Sequence, residues 1–420
     1  MDLLKVFPRR TMAKRSTHDC RSGRRVWSIC TLLLVVMAGG LCLAAHAADK
    51  LSSRQIQEVQ ELSAATLAKN GLPGLSVAVA KGDQIWSAGF GSANLELNVA
   101  VDSRTLFRTA SISKWLTATA AMRLVEEGKL DLDAPVQQYC PQYPQKQWTI
   151  TSRELLSHLS GIRHYHGANG EPRNTEAERK GLDELIKQEE STQYTRHTNI
   201  VSTLDSFKDD PLVFQPGTHF LYTSPGYRVL ACVMEGASHT PYRDLMRQLI
   251  FKPAGMASIT EDDVQAIIPH RVAGYSRGPD KQLVNAPFRD VSANLPAGGH
   301  LSSPEDLVRF AVAFNEGKLV QLKTRDLMIQ RPKLINGSDV PDAPPYFGMG
   351  SGLYYGMGMF VGKTPWGETL LMHTGRDPGA STELLLAPDS KIAVAVMTNM
   401  SQWDGGDDLA KKILKIVHEE

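Results

Sequence analysis

The chain has 420 residues, 42% of them hydrophobic and 22% charged, with 46 basic against 45 acidic residues and a formal charge of +1. That length gives room for one large domain or two ordinary ones, and the composition is that of a folded globular protein. With charge so nearly balanced, and no basic stripe interleaved with aromatics, nucleic acid is excluded as an expected partner.

The basic residues are concentrated at the start. Lys5, Arg9, Arg10, Lys14, Arg15, Arg21, Arg24 and Arg25 stand against only Asp2 and Asp19. An apolar run over 26–45 follows, then Ala45-His46-Ala47. This is the layout of a secretory signal peptide over 1–47, cleaved after Ala47, which predicts a periplasmic or secreted protein. Twenty mostly apolar residues can also span a bilayer, so the alternative is a membrane anchor through 26–45 with the domain outside the cytoplasm. Cys140 and Cys232 are the two cysteines beyond the leader. An oxidising compartment would allow them to pair. The apolar setting of Cys232, in Val229-Leu230-Ala231-Cys232-Val233-Met234, instead predicts a buried free thiol.

Ile56, Val59, Leu62, Ala65 and Leu67 recur at helical spacing and predict a helix over 52–69, stopped at Gly71-Leu72-Pro73-Gly74. Apolar runs at 75–80 and 85–90, joined by Lys81-Gly82-Asp83-Gln84, predict a β-hairpin. The pattern turns helical over 111–127 and stops at Gly128. Thr151-Ser152-Arg153-Glu154 has the form of a capping box and opens a short helix that ends near Gly161. Residues 162–220 are polar and predict irregular chain. Residues 227–236 predict a helix, and Ser303-Pro304-Glu305-Asp306 predicts another capped start. Apolar runs at 353–361, 369–372, 381–386 and 392–397 predict strands, and 407–418 an amphipathic helix. Strands thus cluster at both ends. The expected fold class is α+β: one antiparallel sheet built from both termini and flanked by helices. Its parts are about 51–150 and 290–420, with a mostly helical region, about 151–289, inserted between them.

Three short motifs carry chemistry. Ser111-Ile112-Ser113-Lys114 places a serine and a lysine on one helix face, one turn apart. A serine at a helix N-terminus presents its N–H outward, where it can stabilise an oxyanion. The lysine can take the serine proton only when neutral, which needs a pKa lowered by about three units, or about 4 kcal/mol at pH 7. Burial can supply a shift of that size. Tyr222-Thr223-Ser224 offers a tyrosine that can pass a proton to a leaving group when a cation stands close. His373-Thr374-Gly375 ends a predicted edge strand, and the N–H of Arg376 just beyond it can face an oxyanion.

The order of these motifs resembles that of penicillin-recognising serine enzymes, the class C β-lactamases and penicillin-binding proteins. Flanking stretches carry the same resemblance: Phe107-Arg108-Thr109-Ala110, Gly128-Lys129-Leu130-Asp131-Leu132-Asp133, residues 155–165 and Ala297-Gly298-Gly299-His300-Leu301-Ser302. The chain looks most like the mitochondrial serine β-lactamase-like proteins and their bacterial relatives, over most of 70–400. The resemblance implies a β-lactamase/transpeptidase-like fold and, in a eukaryote, the mitochondrial intermembrane space. It also implies Ser111 as nucleophile, Lys114 and Tyr222 as a proton-transfer pair, and an oxyanion hole from the Ser111 and Arg376 N–H groups. Substrate contacts would come from Ser224, His373, Thr374 and Gly375, with no metal and no cofactor.

Two departures redirect the substrate expectation. Ser224 stands where many relatives have asparagine, and a hydroxyl cannot make the paired contact of an amide. His373 replaces the lysine of true β-lactamases, so carboxylate recognition should strengthen only as acid charges the imidazole. Peptide-like amides or esters are therefore the expected substrates, with β-lactams or D-Ala-D-Ala peptides the alternative and a non-catalytic scaffold a second. Two rival sites arise. Gly274-Tyr275-Ser276-Arg277-Gly278 matches a nucleophile elbow, but Pro279-Asp280-Lys281-Gln282 follows it where a helix is required. His158, His164, His166 and His197 could meet at a metal, although their spacing fits no helix face.

Overall fold

The computed structural model describes residues 50–167, 175–344 and 352–419. The expected leader, 1–47, lies outside the described residues. Among those described, no helix is long and apolar enough to cross a membrane.

Helix α1 (Ser53–Asn70) starts where Ser52 and Gln55 cap each other reciprocally and stops at Gly71, which is left-handed with φ of 55°. The expected hairpin follows as β1 (Gly74–Lys81) and β2 (Gln84–Asn94), then the short β3 (Val99–Ala100). Helices α2 (Ser113–Glu126), α3 (Ser152–Leu156), α4 (Glu176–Thr192), α5 (Ser224–Ser238) and α6 (Pro304–Asn315) make most of the middle. Five strands close the chain: β4 (Tyr354–Tyr355), β5 (Phe360–Lys363), β6 (Thr369–Asp377), β7 (Ala380–Ala387) and β8 (Ile392–Thr398). Helix α7 (Gly406–His418) is last. The strands form one eight-stranded sheet in the order β3-β2-β1-β8-β7-β6-β5-β4 with antiparallel pairing throughout. The N-terminal hairpin thus joins the C-terminal strands through β1 and β8, as a sheet built from both termini requires.

Strands β1, β7 and β8 are buried along their whole length because helices cover both faces. Leu75, Val77, Val79, Val394 and Val396 share one core with Leu409, Ile413 and Leu414 of α7. Ala78, Ala80, Ala393 and Ala395 point the other way, into the core of α2 and α6. Alanines on that face let α6 lie close to the sheet. There Trp115 of α2 meets Phe310 and Phe314 edge-on, with centroids 5.6 and 5.5 Å apart.

Several expectations are corrected. Residues 176–192 are helical, not irregular; Thr175 and Glu178 form a capping box before a run too charged to show an apolar stripe. The run 353–361 is two strands, broken around Gly356–Gly358. Gly358 has φ of 97° and lies against α2, where an added Cβ would come within 2.3 Å of Ala118 Cβ. Strand β6 continues to Asp377, so His373-Thr374-Gly375 sit inside a strand rather than at its end. Its pairing with β5 stops at Met372, however, so among the described residues one side of 373–377 has no strand neighbour.

Cys140 and Cys232 are joined by a disulfide with Cα atoms 5.5 Å apart, which overturns the expected free thiol. The apolar run around Cys232 is the buried face of α5, and that face carries the thiol to Cys140. The bond closes a loop with a sequence separation of 92. Replacing both cysteines by serine should cost about 2–5 kcal/mol, read as a lower Tm. Full alkylation of both cysteines in denatured but unreduced protein would contradict the bond.

Candidate active site

The chemistry converges where α2, α5 and β6 meet. Ser111 does not open the α-helix; it lies in a 3-10 turn, Ala110–Ile112, and α2 begins two residues later. Ala110 holds φ of +44°, a strained value for a residue with a Cβ. The turn is tied down from two sides. Thr109 Oγ1 lies 3.1 Å from the His300 carbonyl, to which it donates, and 2.9 Å from Ser113 Oγ. Thr382 Oγ1 of β7 donates to the Thr109 carbonyl at 3.1 Å. Gly375 then lies directly against the turn: an added Cβ would come within 2.5 Å of the Thr109 carbonyl and 3.0 Å of Ala110 Cβ. No side chain fits there, which gives this glycine its reason.

Lys114 is fully buried. Its Nζ donates to Ser111 Oγ at 3.0 Å and to the Ala297 carbonyl at 2.9 Å, and stands 4.8 Å from the centre of the Tyr222 ring. Among the described residues no carboxylate lies within ion-pair distance of it. Desolvation, and secondarily the charge of Arg228, push its pKa well below the usual lysine value. Tyr222 precedes the N-cap Thr223, whose hydroxyl accepts the Gly226 N–H, and Ser224 is the first residue of α5.

Ser111, Tyr222, Ser224 and Arg376 line one cleft of about 840 Å³. Arg376 turns its guanidinium away to Glu383, 2.7 Å from its carboxylate, with both side chains almost wholly buried. Burial raises the Glu383 pKa to about 8 despite that partner. Asp377 at the rim binds Arg289 at 2.8 Å and Arg108 at 3.3 Å, and Arg108 binds Asp262 at 2.6 Å. These ion pairs fix the end of β6 against the segment before Ser111. In the sequence Arg108 stands only as a flank of the serine motif; its partners Asp262 and Asp377 lie 154 and 269 positions away, beyond any local pattern.

His373 is not a wall of the cleft. It is buried beneath it, with Nδ1 donating to the Thr374 carbonyl at 2.7 Å and Nε2 left to accept from Tyr355 Oη at 3.2 Å. Desolvation, then the charge of Lys114, lower its pKa to about 3. The expectation that mild acid charges His373 for carboxylate recognition is therefore corrected: it stays neutral through the range in which such an enzyme would work. Thr374 is buried beside it.

The rivals separate from this site in different ways. Ser276 lines the same cleft but sits in a two-stranded hairpin, its hydroxyl 2.7 Å from Ser401 Oγ. No strand-turn-helix elbow surrounds it. The four histidines do not assemble: no group of three or more metal-ligating side chains occurs among the described residues. His158 and His164 instead accept the backbone N–H groups of Thr223 and Ser224. His197 contacts Ser202, and His166 donates its backbone N–H to Glu189.

A buried lysine bonded to a serine on a turn, beside a tyrosine and a glycine-bearing strand, sits on an α+β fold of the β-lactamase/transpeptidase type. The family model described as Beta-lactamase matches residues 57–418, and the chain belongs to that family. It is similar to the human serine beta-lactamase-like protein LACTB, mitochondrial, at 31% identity over 400 residues, covering 80% of this chain and 73% of that protein. It is also similar to the putative penicillin-binding protein PbpX of Bacillus subtilis, at 27% identity, covering 88% of this chain and 82% of the relative. Among solved structures, the D-amino acid amidase of Ochrobactrum anthropi SV3 shares the fold. Its TM-score is 0.68 at 20% identity, covering 87% of this chain and 99% of that one.

Burial of Lys114 has a thermodynamic signature. Unfolded, the lysine holds its proton up to a pKa near 10.5; folded, it loses it at lower pH. Between those two values the unfolded chain binds more protons, so stability rises with pH there. Lys114→Met removes this dependence. Its Tm relative to the wild-type chain should fall as pH is raised from about 7 toward about 10. A difference independent of pH would contradict the burial.

Proposed function

We propose that this protein is a serine hydrolase that forms an acyl-enzyme at Ser111 from peptide-like amides or esters. The observation that carries this reading is Lys114 Nζ, fully buried, without a carboxylate partner among the described residues, and 3.0 Å from Ser111 Oγ. A lysine in that setting favours its neutral form and can accept a proton from the hydroxyl as the oxygen attacks a carbonyl. Tyr222, which lines the same cleft, passes a proton to the departing amine or alcohol. The N–H groups of Ser111 and Arg376 stabilise the oxyanion, an assignment supported by the close seating of Gly375 on the Thr109–Ala110 turn. Water then hydrolyses the acyl-enzyme by the same proton path in reverse. No cofactor enters these steps.

The substrate class follows from what lines the cleft. A β-lactam must be held at its acylamino group and its carboxylate as the ring opens, and only contacts kept in the transition state raise the rate. Ser224 lacks the amide for the first contact, and neutral, buried His373 brings no cation to the second. Each missing polar contact is worth about 1–3 kcal/mol, roughly ten- to hundredfold in rate. The exported location predicted from residues 1–47 has support in the Cys140–Cys232 bond, since disulfides persist in oxidising compartments.

A fluorophosphonate probe tests the nucleophile. Ser111→Ala should abolish the adduct and Ser276→Ala should keep it, and mass spectrometry showing the adduct on Ser276 would contradict the assignment. No adduct on any serine would instead favour a scaffold that has kept the fold without turnover. Comparing kcat/KM for a peptide amide, a short ester and a cephalosporin tests the substrate class. Amide or ester should lead; a cephalosporin preference of about a hundredfold or more would overturn the reading.

A further inference from the structure

We propose that His158 is the positioning residue that sets Tyr222 in the site, a role that rests on Tyr222 acting as the proton-transfer partner. His158 holds the chain on both sides of the tyrosine. Its backbone carbonyl accepts the N–H of Leu221 at 3.0 Å, and its ring Nδ1 accepts the N–H of Thr223 at 3.1 Å. Its ring also packs against the Tyr222 ring, with centroids 4.3 Å apart. One residue therefore fixes the backbone before and after Tyr222 and one face of its side chain.

Two features set this histidine apart from one present only for packing. It adopts φ of +59°, which residues with a Cβ avoid unless the surroundings impose it. Its Nε2 is buried without a hydrogen-bond partner among the described residues. Because Nδ1 accepts, the neutral ring carries its hydrogen on Nε2, so the fold leaves one N–H unsatisfied to keep the acceptor at Thr223. A charged ring would carry hydrogen on both nitrogens and could not accept there. Burial holds it neutral. His164 repeats the device one residue on, where its Nδ1 accepts the Ser224 N–H at 3.2 Å and its ring stands edge-on to Tyr222.

The test asks whether the Nδ1 acceptor matters and whether it acts through Tyr222. His158→Leu keeps an apolar side chain of similar reach without the acceptor. His158→Asn places its amide oxygen along the same bond path as Nδ1, and asparagine tolerates positive φ. Acylation is measured as the fluorophosphonate labelling rate and as kcat and KM for a nitrophenyl ester, well below Tm. His158→Leu should lose roughly ten- to hundredfold in kcat and labelling with little change in KM, and His158→Asn should stay within about threefold of wild type. In a Tyr222→Phe background, His158→Leu should cost nothing further. Full activity of His158→Leu, an equal loss in both backgrounds, or failure of asparagine to restore the rate would overturn the proposal. Should the leucine chain not fold, His158→Gln replaces it, since its oxygen reaches past the Nδ1 position. Equal rates for the Gln and Asn chains would then be the contrary result. A Tyr222→Phe chain that acylates at full rate removes the reading of Tyr222, and this proposal with it. A slow Tyr222→Phe chain beside a fully active His158→Leu chain overturns this proposal alone.

Discussion

Lys114 Nζ is removed from water with no carboxylate beside it among the described residues, and much of the site can be understood as what makes that tolerable. A charged ammonium there would lack both solvent and counter-ion, so the neutral amine is favoured. The groups around it are one hydroxyl, one carbonyl and the rings of Tyr222 and Tyr227, and it is desolvation, with the charge of Arg228, that lowers its pKa. The nearby histidines follow the same logic. His158, His164 and His373 are each bonded to the backbone through Nδ1, and burial holds each of them uncharged. A carboxylate introduced here would keep the lysine protonated and remove its capacity to act as a base.

The second constraint is closeness. The turn that carries Ser111 and the strand that carries Gly375 approach so nearly that a side chain at 375 is not accommodated, and Ala110 in that turn holds a positive φ. The turn lies on the face shared by β6 and β7, where Thr382, the β7 partner of Gly375, also donates to the Thr109 carbonyl. Hydroxyls of Thr109 and Thr382, together with the Arg108–Asp262 and Arg289–Asp377 ion pairs, fix the two walls. Local strain at a site is retained where the surrounding structure over-determines it.

What the sequence made legible depended on the range of the interaction. Capping boxes, the Gly-Asp hairpin and the apolar C-terminal strands are local patterns, and they gave the sheet and its connection across the termini. Helix α4 was missed because its residues are too polar for an apolar stripe, although its Thr175 and Glu178 cap was there to be read. Ser111, Lys114, Tyr222 and Ser224 could be found from motif order, and the structure brings them together. The burial of His373 could not, since it depends on Tyr355 and Phe360, which strand pairing brings beside it. The disulfide was misread for a related reason: an apolar neighbourhood reports burial but not which residue lies across the core.

The account stands on the ionisation of Lys114. Lysine-selective isotope labelling, with the Lys114 signal assigned through its loss in Lys114→Met, gives that pKa directly by NMR titration of the folded protein. The account predicts a midpoint well below the ordinary value of 10.5, matching the acid limb of the acylation rate. A Lys114 that titrates near 10.5 in the folded protein, with acylation unaffected by its charge, would contradict it.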